Sequence, residues 1–371
     1  MQRSDISYAI RKISNVTSDT VLENRSIQIA LDRTYQHFDW PYYLQWGAIR
    51  TVATYTTGTA IVTNGSTTVT GVGTTWTSAM VGRKFRHADE AAYYRIASVT
   101  NTTTLVLEQA YQGDTDSTGS SYTIYKDEYR LAPDMDKNRT AIQLQNRMPI
   151  TDVPPGDFDK AIPSPQSYSD PVIQVLSGTK LDVYSTGTVT CSGTTITGVG
   201  TSWLSVDGLG RMSRIIVGSN AYTVKSVNSD TSITTYETLT SVAVATTYQI
   251  ELRNLIVQLY QIPDASRIIY YRYYRIPDLL VNDYDNPDMP THWDWILVYG
   301  GLSMMLLQKG DVTKGQQTAE AMFLNGLEMM KLKVGSFVAN RIYKKKSIDK
   351  YGGNVNDGLE RSSFDRRYSS I

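Results

Sequence analysis

One cysteine, Cys191, stands in the 371 residues of the chain. A single thiol excludes an internal disulfide framework and any cysteine-built metal cluster, and leaves an inert group in or beside a β-strand. Histidine is almost as scarce: His37 in "YQHFDW", His87 in "FRHADE" and His292 in "PTHWDW". None of the three belongs to an HExxH motif, and no Walker loop, GxSxG elbow or dinucleotide fingerprint accompanies them. Each is read as a structural or surface residue. Charge is also low. Lys, Arg, Asp and Glu make up 19% of the chain, with 36 basic and 36 acidic residues, which argues against a general nucleic-acid binder. No run approaches eighteen apolar residues, so no membrane-spanning helix is expected. The opening "MQRSDISYAIRKISNV" has no apolar core of signal-peptide length.

What fills the gap is Thr, Ser, Gly and Tyr, a composition of ordered β-structure, in a chain long enough for roughly two to four domains. The strongest signal is internal. "TVTGVGTTWTS" at 68–78 returns as "TITGVGTSWLS" at 195–205. The likeness extends over 57–125 and 186–251, where Trp76 matches Trp203, Tyr94 matches Tyr222 and Tyr122 matches Tyr248. A correspondence of that length predicts two duplicated domains. Short Val/Ile/Thr/Tyr runs broken by Asn-Gly, Ser-Gly and Gly-Val-Gly turns make each a small β-barrel or β-sandwich with its tryptophan in the core. A unit of this size buries only a modest core, which suits an accessory domain better than an enzyme with its own cleft.

Around the repeats the periodicity changes. In residues 1–50, Ile6, Ala9, Ile10 and Ile13 form one helical stripe behind Ser4, and Thr20 with Glu23 has the form of a capping box for a second helix carrying Ile27, Leu31, Tyr35 and Phe38. Pro41 ends that helix. In 286–340, "MPTHWDWILVYGGLSMMLLQ" is apolar nearly all round, which predicts a helix buried on several sides. A second helix follows, with Ala319, Met322, Phe323, Gly326 and Met330 as its seam. The two ends of the chain are expected to form one helical bundle whose paired glycines permit close contact. Segments 127–180 and 252–285 read as two parts of a β platform from whose loops the repeats project. The fold class is therefore α+β.

Candidate chemistry is thin. Neither "GVG" is followed by the lysine and helix of a phosphate loop. Asp283, Asp285 and Asp288 in "DYDNPD" lie close together but lack the spacing of a calcium loop, so they read as a turn. No catalytic set, cofactor site or metal site is expected. The end of the chain, 341–371, is a basic tail containing Lys344, Lys345, Lys346, Arg366 and Arg367, with Tyr343, Phe364 and Tyr368 as apolar anchors. Such a segment is expected to be extended, and to bind a partner through many weak contacts.

The order of these signals carries a resemblance. A helical pair ending in "DWP", then "YRLAPDM", "IIYYRYYRIPDLL", "NPDMP" and "HWDWILVYGGLSMMLLQKGD" resembles the head-to-tail adaptor (connector) proteins of tailed bacteriophages. The resemblance implies a non-enzymatic structural protein of the virion, located at the head-to-tail junction after assembly in the host cytoplasm. It implies a ring, usually of twelve copies, beneath the portal protein, with a docking surface for tail or nozzle proteins and DNA only as passing cargo. Trp293, Tyr299, Met304 and Met305 would then lie on the ring-forming or packing helix, and the basic tail would reach the portal or a neighbouring subunit. The repeats would decorate the ring and contact tail fibres, collar proteins or the capsid rim. The competing reading is a fibre-attachment or host-surface-binding virion protein that works through the repeats.

Overall fold

The computed structural model describes residues 1–14, 20–88, 90–143, 149–162, 167–310 and 314–346, with backbone alone in 137–143, 314 and 335–346. It is an α+β protein of two units: a helical unit built from Met1–Tyr42 and the chain from Pro277 on, and a β unit, Tyr43–Ile276.

In the helical unit, α1 (Arg3–Ser14), α2 (Thr20–His37) and α5 (Lys314–Lys346) all pack on α4 (Trp295–Gln308). A short helix, α3 (Pro155–Ala161), lies in the β unit. The all-round apolar sequence of α4 explains its central place: Ile296, Leu297, Val298, Leu302 and Met305 are buried, with Ile6 and Ile10 of α1 and Ile27 and Leu31 of α2 buried in the same unit. The glycines set the spacing. A methyl group at Gly300 would lie 2.7 Å from the Phe323 ring, and one at Gly301 would lie 2.8 Å from Ile10 Cδ1. Backbones can approach this closely only where no side chain intervenes.

The β unit contains β1 (Leu44–Arg50), then the first repeat as β2 (Thr59–Val62), β3 (Thr68–Val72), β4 (Lys84–His87), β5 (Tyr94–Asn101), β6 (Thr104–Leu107), β7 (Asp116–Ser120) and β8 (Tyr122–Tyr125). Next come β9 (Glu128–Arg130), β10 (Met135–Gln143), β11 (Pro149–Asp152) and β12 (Ile173–Tyr184). The second repeat follows as β13 (Thr188–Ser192), β14 (Thr195–Val199), β15 (Arg214–Val217), β16 (Asn220–Ser229), β17 (Ser232–Thr235), β18 (Val242–Thr246) and β19 (Tyr248–Tyr260), and β20 (Ile268–Arg275) closes the unit.

The two repeats share one strand permutation. The first sheet runs β7-β2-β3-β6-β5-β4-β8, and the second runs β18-β13-β14-β17-β16-β15-β19. Each has its own core, centred on Trp76 or Trp203, and the platform has a third that includes Tyr129, Leu259 and Tyr271. The recurring Thr-Gly-Val-Gly motif follows from the packing. Gly58 and Gly187 have φ of +83° and +87°, and a Cβ on either would meet a carbonyl of the facing Val-Gly turn at 2.5 Å. Gly71 and Gly198 lie under the indoles of Trp76 and Trp203, where a Cβ would come within 2.8 Å of the ring.

The platform also relates the repeats. β9 follows the first repeat as the second half of β19 follows the second, and the two segments pair antiparallel. The spacing that carries Tyr122 to Tyr248 also carries Arg130 to Ile256, and Arg130 pairs with Ile256.

Three boundaries differ from the sequence reading. Pro41 does stop the helical run, α2 ending at His37, but Leu44–Arg50 is a strand that pairs along its whole length with β20, so residues up to 50 are not all helical. The platform ends at Ile276; the following turn belongs to the helical unit, where the carbonyls of Asp285 and Asp283 accept the Arg3 and Ser4 amides at 2.9 and 3.1 Å. These bonds satisfy amides that the first turn of α1 leaves unpaired. Finally, only the first repeat is attached by short connections. The second is entered and left by β12 and β19, whose ladder runs unbroken in direction from Ile173↔Tyr260 to Tyr184↔Ile250 past one register shift.

Candidate interaction site

The sequence singled out Trp293, Tyr299, Met304 and Met305, and the structure places them at different depths. Trp293 sits in the single turn before α4 and is 9% exposed, stacked at a tilt on His292 and Trp295, with the Lys333 ammonium 5.9 Å from its ring centre. Met305 is 1% exposed. Both residues therefore serve the packing of the chain itself. Tyr299 and Met304 are half-buried, Tyr299 with its ring edge-on to Trp295 at 6.0 Å.

A polar tie fixes α5 to this core. Arg33 of α2 donates to Glu320 of α5, one of its bonds being 3.1 Å, and its guanidinium lies 4.8 Å from the Phe323 ring centre. Ser303 of α4 donates to the same carboxylate at 2.8 Å and accepts from Gln316 at 3.2 Å. The bond from Arg33, aided by Ser303, holds the Glu320 carboxyl below its ordinary range against the opposing effect of partial burial.

With that face occupied, α5 turns another outward. Met322, Met329 and Leu332 are exposed and recur at i, i+7 and i+10, within one quarter-turn of the helix. Leu332 is 71% exposed. On α1, Tyr8 and Ile13 are exposed as well, Tyr8 to 63%. The sequence reading assigned Met322 to the inner seam and Ile13 to the α1 stripe; both lie outside. Periodicity alone does not say how wide a buried stripe is.

The basic end divides. Tyr343, Lys344, Lys345 and Lys346 fall on the last turns of α5, which continues past the expected helix end at residue 340. Phe364, Arg366, Arg367 and Tyr368 lie outside the described residues. In the acidic turn, the Asp285 carboxylate accepts the amides of Val281 and Asn282 at 3.0 and 2.7 Å, Asp288 accepts that of Asp278 at 2.8 Å, and Asp283 pairs with Arg3. These bonds account for the turn without a cation. Among the described residues, no cluster of His, Cys, Asp and Glu has the geometry of a metal site, and no helix is long and apolar enough to cross a membrane.

Sequence reasoning missed a charged junction where the first repeat meets the platform. Lys84 and Arg95 of the repeat face Asp127 and Glu128 of the platform. The basic run "RKFRH" and the acidic pair in "KDEYR" were the available signal.

No curated protein matches the chain. Residues 174–341, just under half of it, match the family model described as SU10 adaptor protein. The match runs from β12 through the second repeat, β20 and α4 into α5, and it excludes the first repeat. The matched segment is similar to that adaptor family, and it contains both the buried helix and the outward apolar stripe.

Proposed function

We propose that the chain is a structural head-to-tail adaptor of a tailed-phage virion, assembled as a ring of twelve copies beneath the portal and presenting a docking surface to tail or nozzle proteins. The observation that carries this reading is the adaptor-family match over 174–341, in which α5 leaves Met322, Met329 and Leu332 uncovered. A neighbouring copy in a ring would cover such a stripe, because a cyclic assembly joins two different faces of each subunit. Tyr299 and Met304, half-buried on α4, would reach a neighbour, while the buried Trp293 and Met305 would support the helix from within.

The basic end of α5 and the residues after it, with Tyr343, Lys344, Lys345, Lys346, Phe364, Arg366, Arg367 and Tyr368, would bind the portal or an adjacent subunit. The two repeats are inserted small β-domains that would face tail fibres or collar proteins. DNA would pass through the ring without sequence-specific contact, and no catalytic step is assigned. A fibre-attachment role is less well supported, since the matched segment joins the second repeat to the helices in one stretch.

Mixing the purified chain with the portal of the same virion and measuring the mass of the complex tests the proposal. Twelve copies per portal ring support it. A complex with a trimeric fibre, together with failure to bind the portal, would overturn it.

A further inference from the structure

The repeats share a strand order but are held differently. The second is continuous with the platform, because β12 and β19 pair through both. In the first, the counterpart of that ladder is reduced to one bridge, Tyr55↔Ile124, with hydrogen bonds of 2.8 and 2.9 Å. The exit strand is then interrupted between β8 and β9, after Tyr125.

At the interruption, side chains take the place of the ladder. Lys84 of β4 is almost fully buried and donates to Asp127 at 2.8 Å, with Glu128 at 3.0 Å. Arg95 of β5 donates to both Glu128 oxygens at 2.8 and 2.6 Å. The anions are fixed from the platform side, where Gln258 donates to Asp127 at 3.0 Å and the Leu259 amide binds the Asp127 carbonyl at 2.8 Å. Arg86 adds a bond of 3.2 Å to Tyr168, and Lys126 one of 2.6 Å to Asp207 of the second repeat.

The second repeat has no such arrangement. Register equates Lys84, opposite Tyr125, with Arg214, opposite Glu251. Arg214 is 56% exposed and pairs with Glu251 of its own sheet at 3.2 Å. The position matching Glu128 is Asn254, which donates to the carbonyls of Leu131 and Gly208. Between the two repeats lies a cavity of about 600 Å³ whose lining includes Lys84, Glu128, Val183 and Asp207. Space is therefore present beside the interrupted strand.

We propose that the first repeat is a hinged arm, pivoting at Tyr125–Lys126 and at the segment before Tyr55, and held in one orientation by the clasp of Lys84 and Arg95 on Asp127 and Glu128. The second repeat is a fixed arm. A buried ion pair is better suited to selecting one geometry than to adding stability, since its desolvation offsets much of its attraction. Breaking it from one side leaves the other charge uncompensated in place, which favours an opened orientation that admits water.

The test uses full-length protein in a Cys191→Ala background, with spin labels at Thr100 in the first repeat and Leu176 on β12, both exposed. A second pair, Thr231 in the second repeat with Leu176, serves as the reference. The native clasp should give a single narrow Thr100–Leu176 distance distribution. Lys84→Gln and, independently, Glu128→Gln should widen it at least twofold, and Arg214→Gln should leave the Thr231–Leu176 distribution unchanged. If Lys84→Gln unfolds the first repeat, Arg95→Gln is measured in its place. Unchanged widths in folded clasp variants, or equal widening for both repeats, would overturn the hinge.

Discussion

The indole of Trp76 donates to the Tyr122 hydroxyl at 2.9 Å, and the Tyr122 hydroxyl in turn donates to the Thr57 carbonyl at 2.6 Å. The second repeat repeats the relay: Trp203 to Tyr248 at 3.0 Å and Tyr248 to Thr186 at 2.7 Å. Each relay links the centre of a core to the point where the chain enters the repeat. Trp76→Ala is expected to destabilise the first repeat by about 3–5 kcal/mol, through the lost transfer energy and the remaining cavity. Hydrogen exchange should show faster exchange in β2–β8 and unchanged protection in β13–β18, because the two cores are separate clusters.

The helical unit should be least tolerant where α4 meets its neighbours. Gly301→Val places branched carbon against Ile10 and Ile27 and should cost roughly 1–3 kcal/mol or more by overpacking. Gly156→Ala, at a position with nothing within 4 Å of an added Cβ, is the neutral comparison. Urea denaturation of the two variants should separate them clearly.

The duplicated repeats were legible in the sequence because the motif glycines and core aromatics recur in order, each required by a contact within its own repeat. The central helix was legible from its all-round apolarity. The β1 strand was not, since "LQWGAIR" has weak alternation and is extended chiefly because β20 offers it an edge. The clasp was harder still: Lys84, Arg95 and Asp127 come together only through sheet pairing between distant segments. Nor does the sequence distinguish a continuous β19 from the interrupted β8 and β9, although that difference separates a fixed repeat from a hinged one. Met322 shows the same limit at the interaction site, where helical spacing identified an apolar position but not the side it faces.

Acid should loosen the tie between α2 and α5. The folded Glu320 carboxyl lies below its unfolded value of 4.5 because Arg33 and Ser303 bind the charged form. Its contribution is therefore present above that pH and is lost as pH falls through the lower, folded value. Glu320→Gln should lower Tm at neutral pH and have a smaller effect in acid. Thermal unfolding of the wild type and variant at both ends of this range checks the sign.

The clasp has the same sign. Burial raises the Glu128 carboxyl, but Lys84 and Arg95 outweigh that effect and leave it below its ordinary value of 4.5. The Lys84 ammonium, disfavoured by burial, is carried above its ordinary value by Asp127 and Glu128. The pair is charged throughout the neutral range, so acid rather than mild base should widen the Thr100–Leu176 distribution.

Removing residues 347–371, which follow the last turn of α5, should leave the fold intact and weaken portal association. The loss should shrink as salt rises, because exposed basic contacts are screened. Binding of the full-length and shortened chains at two salt concentrations measures this.

The most direct test of the adaptor reading is electron microscopy of the chain bound to its portal. A closed ring is expected beneath the portal, with α5 of one copy carrying Met322, Met329 and Leu332 against the helical unit of the next and both repeats outside the helical wall. Portal particles decorated by isolated copies, or a ring joined only through the repeats with the α5 stripe facing water, would contradict it.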